Sequence, residues 1–271
     1  MPRFFRKNLD WLGYLSIQPD LWKVFSKSLY VVEAANHYLD MEALNPDVTK
    51  ITLPERRFQF LHMLSTKKLS ARDVGLLPYQ LQECYDRLKG AFAEYRWALA
   101  DPKGREHRSP RSLASLKSVE MTCLVYAGIL AHYAEDASQP LHATIFFDGR
   151  GPDGKPARTG VHLRFEIDFV NRNIKMNDIA KRLAPPRKIN NTIVKEALAL
   201  LTRSNRQASK VIDLDAQGKL ARNDPGAIEF TVQCMAAGGQ FLRNLWYSAW
   251  LESEKGVDDL KARLAPKNRP E

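Results

Sequence analysis

The sequence predicts an all-α protein, a single multi-helix domain built around a long central helix. Strict alternation of polar and apolar residues is almost absent, whereas apolar residues recur at three- and four-residue steps. Of the 271 residues, 44% are apolar and 27% are charged, which excludes a disordered chain and supports a packed core. No internal repeat or change of composition marks a linker. We therefore expect one domain over residues 1–271, with a frayed tail at residues 265–271.

Each expected helix has a start signal or an apolar face. Pro19-Asp20 begins a segment predicted to run to about Leu44, whose apolar residues fall on one stripe: Leu21, Val24, Phe25, Leu29, Val32 and Ala35. Further helices are predicted from Pro54, from Pro78 to about Leu99, from Ser109-Pro110 to Asp136 as the central helix, and near residues 161–173, 188–212 and 225–254. The glycine-rich stretch between His142 and Val161 is predicted to be a loop.

Charge and composition restrict the classes of partner and location. The 41 Lys and Arg residues exceed the 31 Asp and Glu residues by 10, which favours an anionic partner such as a phosphodiester, nucleic acid or lipid headgroup. No stretch approaches the roughly 18 consecutive apolar residues of a membrane span, so we expect no transmembrane segment. As written, the start has no export signal, because Asp10 interrupts its apolar stretch and no cleavage site follows. The three cysteines form neither a CxxC pair nor a disulfide framework.

Two histidine–carboxylate pairs at helical spacing carry the strongest chemical signal. His132 and Asp136 are four residues apart on the predicted central helix, and His162 and Glu166 repeat that spacing further along. His142 lies between the two pairs, in a turn just after a proline. Imidazole nitrogens and carboxylate oxygens are ligands that zinc prefers, and helices hold such pairs on one face. A single pair of this kind is usually a surface interaction, but two pairs and a turn histidine together predict a metal site.

These residues carry a resemblance to a known family. The string His132-x-x-x-Asp136-x-x-Gln139-Pro140-Leu141-His142, followed by His162-x-x-x-Glu166, resembles the zinc-dependent phospholipase C family. The related single-strand-specific zinc nucleases share most of the pattern. In that family the corresponding residues ligate a trinuclear zinc site in an all-α fold. Residue type, order and spacing agree together over residues 131–166, and outside that stretch the match is looser.

The resemblance implies two further ligands upstream of the central helix. They are Asp20 in Gln18-Pro19-Asp20 and His37 in Asn36-His37-Tyr38. Without the resemblance, Asp20 would equally be a helix N-terminal residue and His37 a buried core histidine. The implied zinc sites are therefore one of Asp20, His37, His132 and Asp136, and one of His142, His162 and Glu166.

One part of the family pattern is missing from this sequence. The family's third zinc is held by the free amino group of a mature N-terminal tryptophan and by a histidine shortly after it. Here no histidine precedes His37, and Trp11 and Trp22 are internal. We therefore expect two complete zinc sites and an incomplete third one. A truncated gene start or a degenerate, non-catalytic relative would each explain the departure. The resemblance also implies a secreted or periplasmic location.

The leading hypothesis is a zinc-dependent phosphodiester hydrolase. Paired zinc ions lower the pKa of a shared water, and their charges offset the anionic transition state. The resemblance implies that Asp136 bridges two metals and that Asp20 is both a ligand and a candidate general base. The ion held by His142, His162 and Glu166 would bind phosphate oxygens or the leaving group. Glu166 favours the phospholipase branch, since the nuclease branch usually has Asp at that position.

Other functions stay open at this stage. A helical relative that kept metal ligands but lost catalysis would act as a binding protein. A basic nucleic-acid binder without metal is less favoured, because the Lys and Arg residues are spread along the chain without a recognisable binding motif. For the hydrolase we expect a monomer that acts on a phospholipid headgroup or nucleic acid, with peripheral membrane contact in the first case.

Overall fold

The computed structural model describes residues 1–100 and 116–264, and its regular structure is helical, as predicted. In chain order, the α-helices are α1 (Arg3–Lys7), α2 (Leu9–Ser16), α3 (Gln18–Phe25), α4 (Lys27–Glu33), α5 (Met41–Leu44), α6 (Arg57–Thr66), α7 (Ala71–Val74), α8 (Leu77–Ala100), α9 (Leu116–Asp136), α10 (Val161–Leu163), α11 (Val170–Asn173), α12 (Met176–Ala180), α13 (Ile193–Ala216) and α14 (Pro225–Leu264). Short 3₁₀-helices cover Ala34–His37, Val48–Lys50 and Pro140–Ala143, and a π-helix covers Arg164–Phe169. Extended structure in the described ranges is limited to an isolated antiparallel bridge between Arg150 and Pro156.

Helix α9 is the central helix and lies against α2, α8 and α14. Small residues allow its neighbours to approach closely: a Cβ on Gly128 would lie 2.4 Å from the Cβ of Leu15 on α2. Leu124 and Leu130 of α9 are buried in the main hydrophobic core. The last two turns of α9 carry His132 and Asp136, which are also buried. The packing of the core therefore fixes the end of the helix that holds these two polar side chains.

The prediction of one continuous helix from Pro19 to Leu44 is wrong. Helix α3 ends at Phe25, and Ser26 adopts an extended conformation with φ −146° and ψ 119°. Its hydroxyl accepts a hydrogen bond from the backbone N–H of Leu29 at 3.3 Å and so caps a new helix, α4. After α4 the chain tightens into a 3₁₀-helix that ends at His37. Local capping by a short hydroxyl side chain interrupts the helical periodicity here.

The apolar stripe of this segment is largely exposed. Val24 is 75% exposed, Phe25 is 80% exposed and Val32 is 63% exposed, whereas Ala35 is buried in the core. Helices α3 and α4 pack on each other and leave these side chains on the outer surface. We call the exposed apolar residues of α3 and α4 the apolar face; they are Val24, Phe25, Leu29, Tyr30, Val31 and Val32. It lies on the same short helices that carry Asp20.

The second half of the chain forms a smaller core around the segment 161–173. Phe165 and Phe169 of this segment are buried with Val211 of α13 and Phe230 of α14. The predicted helix is present, but its middle is the π-helix Arg164–Phe169. The preceding loop enters the segment through Gly160, whose φ of +78° is costly for residues with a side chain.

Most other predicted boundaries are close to those observed. The helix predicted from Pro54 begins at Arg57, because the carbonyl of Pro54 instead accepts a hydrogen bond from the hydroxyl of Tyr79 at 2.8 Å. The predicted start of the central helix at Ser109-Pro110 and the tail at residues 265–271 lie outside the described residues. The assignment of residues 1–271 to one domain stays a prediction. Among the described helices, none combines the length and apolar character needed to cross a bilayer.

Candidate metal centre

Four of the predicted ligands meet at the C-terminal end of α9, and we call this cluster site A: Asp20, His37, His132 and Asp136. Nδ1 of His37 lies 2.9 Å from Nε2 of His132 and 3.1 Å from Oδ2 of Asp136. Nε2 of His132 lies 3.3 Å from the same carboxylate oxygen. Oδ1 of Asp20 completes the group at 3.8 Å from each of the two ring nitrogens.

The backbone around His37 holds its ring in site A. The N–H of Leu39 donates to the carbonyl of His142 at 2.9 Å, and the N–H of Leu77 donates to the carbonyl of Tyr38 at 3.2 Å. These bonds tie the end of the 3₁₀-helix to the Pro140–Ala143 turn on one side and to the start of α8 on the other. The ring of His37 is therefore placed by tertiary contacts and not by a long helix.

The other three predicted ligands form a second cluster, site B: His142, His162 and Glu166. Nε2 of His142 lies 3.2 Å from Nε2 of His162 and 3.3 Å from Oε2 of Glu166. Nε2 of His162 lies 2.9 Å from the same oxygen of Glu166. The π-helix keeps the predicted four-residue pair together despite its wider turn. Unlike the buried histidines of site A, His162 and Glu166 are half-buried and reach solvent.

In His142 and His162, the ring nitrogen that faces away from site B is hydrogen-bonded to a backbone carbonyl, and this bond fixes which nitrogen points into the site. Nδ1 of His162 lies 3.0 Å from the carbonyl oxygen of Phe147, and Nδ1 of His142 lies 2.8 Å from the carbonyl oxygen of His37. Because a carbonyl oxygen only accepts, each Nδ1 carries a proton, and Nε2 is the atom that can give a lone pair to a metal ion once any proton on it is displaced. Histidines that ligate metals are typically oriented in this way by an outer hydrogen bond.

Asp136 links the two clusters. Its Oδ2 belongs to site A, while its Oδ1 lies 3.2 Å from Nδ1 of His142. The carbonyl of His37 meets the same nitrogen, so a residue of site A contacts a residue of site B. The seven predicted residues are thus brought together in one place, in two adjacent groups.

The donor atoms fit the size of a zinc ion. Zinc–nitrogen and zinc–oxygen bonds of about 2.0–2.1 Å in a tetrahedral arrangement place neighbouring donors about 3.3 Å apart. The donor pairs named above for sites A and B are 2.9 to 3.8 Å apart. In site A, donors of Asp20, His37 and His132 all lie within 4.8 Å of one another, and Asp136 adds a carboxylate oxygen beside both histidines. Site B offers three donors, which is the pattern of a zinc site that keeps one position open. The geometry shows two groups that could hold a metal ion without identifying the metal.

The protonation states of the ligands follow from burial and from their mutual charges. Burial lowers the pKa of His37 below its ordinary value despite the neighbouring carboxylate of Asp136, which favours the neutral ring that a metal ion would need. Burial alone would raise the pKa of Asp136, but attraction to His132 and His142 holds it below its usual range.

The ionisable groups of site B shift one another's pKa values strongly. Burial would lower the pKa of His142, yet the carboxylates of Asp136 and Glu166 raise it to about 9. Burial would likewise raise the pKa of Glu166, but hydrogen bonds from His142 and His162 hold it well below its usual range. A cation entering site B therefore replaces a proton between these groups.

Gln139 contributes to site B in a way that the sequence reasoning did not assign. Its amide nitrogen donates to Oε2 of Glu166 at 2.9 Å, and its amide oxygen accepts from the N–H of Leu141 at 2.6 Å. The residue thereby caps the turn that carries His142 and also orients Glu166. Its position in the sequence motif, directly before Pro140, is the feature from which this role could have been predicted.

Comparison with known proteins does not identify a family. No protein-family model matches the chain, and no solved structure matches it. A probable serine protease of Bradyrhizobium tropiciagri is 28% identical, in an alignment that covers 54% of this chain and 22% of the relative. The chain therefore spans about a fifth of the length of that relative.

Proposed function

We propose that this protein is a zinc-dependent phosphodiester hydrolase with two zinc sites and a preference for phospholipids. The observation that carries the proposal is the presence of two adjacent groups of three His, Asp and Glu residues that could each hold a metal ion, with Asp136 in contact with histidines of both. The proposal also rests on the resemblance of these residues to the zinc-dependent phospholipase C pattern. Site A and site B would each hold one ion.

The chain's own residues have distinct tasks in this proposal. Zinc at these sites would supply Lewis acidity, which lowers the pKa of a water toward 7 and offsets negative charge on the phosphoryl group. Asp136 holds the two sites at a fixed separation through its contact with His142. Asp20 is 53% exposed at the rim of site A, where its carboxyl group is paired with Lys23 at 2.7 Å and would serve as the general base toward water.

A basic residue beside site B suits an anionic substrate. Arg158 is exposed on the loop that precedes His162, and its guanidinium lies 4.7 Å from the ring centre of Phe147. The carbonyl of Phe147 in turn fixes the ring of His162. An arginine held in this position can form paired hydrogen bonds to phosphate oxygens.

The apolar face favours a lipid substrate over a nucleic acid. Val24 lies one helical turn from Asp20 on α3, so the exposed apolar side chains begin next to site A. Lys27 is also exposed on α4, which adds a charge that suits phosphate headgroups. Exposed apolar residues beside basic ones are typical of surfaces that contact a bilayer. We therefore place the substrate headgroup at the sites and the bilayer against the apolar face.

The name of the Bradyrhizobium relative supports a hydrolase in general terms but not this reaction. The hydrogen-bonding partners of the site histidines are carboxylates, backbone carbonyls and other histidines, which suits metal binding better than activation of a serine. A protein that binds metal without catalysis is the remaining alternative, and it predicts metal uptake with no hydrolysis.

Hydrolysis of three substrates tests the proposal. Zinc-loaded protein should hydrolyse bis(p-nitrophenyl) phosphate and phosphatidylcholine vesicles, and a chelator should abolish both activities. Single-stranded DNA should be cleaved more slowly than the lipid. Metal uptake without hydrolysis of any of the three would refute the enzymatic proposal, and faster cleavage of DNA would refute the lipid preference.

A further inference from the structure

A buried carboxylate outside the predicted ligand set lies behind His37. Glu33 is 8% exposed and lies four residues before His37, so the two side chains share one side of the chain. Its Oε1 lies 3.8 Å from Nε2 of His37, the ring nitrogen that points away from site A. Within the described residues, that buried nitrogen has no hydrogen-bond partner. A buried donor without a partner is costly, and Glu33 is the carboxylate that faces it.

The position of Glu33 is fixed by other polar groups. The hydroxyl of Tyr133 donates to Oε1 of Glu33, and the amide of Asn36 donates to Oε2 at 3.3 Å. Arg57 extends the network by donating to the amide oxygen of Asn36 at 3.2 Å. Tyr133 follows His132 directly on α9, so the network connects both histidines of site A.

Comparison with His142 and His162 shows which hydrogen-bond acceptor Glu33 offers to His37. His142 and His162 each present Nε2 to site B because a backbone carbonyl holds their Nδ1 proton at 2.8 to 3.0 Å. His37 directs the opposite nitrogen, Nδ1, into site A, so Nδ1 can bind a cation only when the ring proton is on Nε2. The group that faces Nε2 of His37 is the side-chain carboxylate of Glu33, which is a stronger acceptor than a carbonyl.

We infer that Glu33 is a positioning residue that accepts the Nε2 proton of His37 and so fixes Nδ1 as the metal-binding atom of site A. The inference rests on the proposed metal centre, but not on the identity of the substrate. When Nδ1 binds a cation, rotation of the two side chains closes the 3.8 Å gap to hydrogen-bonding distance. The bond makes the imidazole more electron-rich and prevents the ring from turning.

Zinc affinity measured separately at each site tests the inference. A chelator competition in a His162→Ala background reports site A, and one in a His132→Ala background reports site B. Glu33→Leu should weaken zinc binding at site A about 10- to 100-fold, which is the usual effect of losing such an outer partner. Glu33→Gln should have a smaller effect, because its amide oxygen can still accept the proton. Zinc binding at site B should change by less than about twofold.

Glu252→Gln is the matched control. Glu252 accepts a hydrogen bond from the hydroxyl of Tyr85 at 2.8 Å, so it repeats the tyrosine–carboxylate pair away from the histidines. Its replacement should leave both zinc affinities unchanged. Equal losses at sites A and B in the Glu33 variants, or unchanged affinity at site A, would overturn the inference.

A measurement on the unmodified protein covers the case in which the Glu33 variants do not fold. Nitrogen-15 NMR of the zinc-loaded protein should show the His37 proton on Nε2, and a proton on Nδ1 would overturn the inference. Hydrolysis of bis(p-nitrophenyl) phosphate is scored independently. Loss of zinc affinity in the Glu33 variants, together with an inactive zinc-loaded parent, would refute the proposed function while supporting the role of Glu33.

Discussion

Replacement of His142 by alanine tests whether this residue acts as a metal ligand or only as a packing residue. Nε2 of His142 lies 3.2 Å from His162 and 3.3 Å from Glu166, so the substitution removes one of the three donors of site B. Protein zinc sites bind with about 10–16 kcal/mol in total, so one ligand contributes on the order of 3–4 kcal/mol. The affinity of site B should therefore fall by about 10²- to 10³-fold.

The cost of the same substitution to the fold should be smaller. Above about pH 9, where the raised pKa of His142 leaves its ring neutral, alanine removes mainly the hydrogen bond from Nδ1 to the carbonyl of His37, a loss of about 1 kcal/mol. The backbone bond from Leu39 to the carbonyl of residue 142 remains. In a chain of this size, about 1 kcal/mol lowers the melting temperature by roughly 2–4 °C.

Two assays decide between these effects. Chelator competition gives the zinc affinity, and thermal unfolding in the presence of chelator gives the stability of the metal-free protein. His62→Ala is the matched control, because His62 is exposed on α6 and should affect neither measurement. An His142→Ala variant with its full zinc content and parental affinity would refute the assignment of His142 as a ligand.

Three further predictions follow from the same geometry. Gln139→Leu should weaken zinc binding at site B by about tenfold in chelator competition, because Glu166 loses an orienting partner; an unchanged affinity would contradict this role. The pKa of His142 is raised to about 9 from 6.5, so its contribution to the stability of the metal-free protein is complete below pH 6.5 and lost as the pH rises through about 9. Urea unfolding should show that decline, which should disappear in His142→Ala. Serine at both Val24 and Phe25 should reduce hydrolysis of vesicles more than hydrolysis of a soluble diester, and equal effects would exclude the apolar face from lipid contact.

The clustering of the candidate ligands could be predicted largely because pairs four residues apart stay neighbours on a helix. This rule places His132 beside Asp136 on α9, and it holds for His162 and Glu166 even though the helix there has a wider turn. It does not place His37, whose ring enters site A through a short 3₁₀-helix tied down by backbone bonds from distant segments. That assignment needed the family resemblance.

Features that depend on tertiary structure could not be predicted from the sequence. The break at Ser26 depends on a single capping hydroxyl, which periodicity does not detect. The exposure of Phe25 depends on what packs against α3 and α4, which an apolar stripe alone does not specify. The contact of Gln139 with Glu166 joins residues that are far apart in the chain. Glu33, however, precedes His37 by four residues, and the spacing rule used for the other pairs would have found it.

Zinc content per chain, measured by elemental analysis, shows whether sites A and B each hold one zinc ion. The parent protein should contain two ions, and His132→Ala and His162→Ala should each retain one, lost from site A and site B respectively. A parent that binds no zinc, or variants that keep the parental zinc content, would contradict the account.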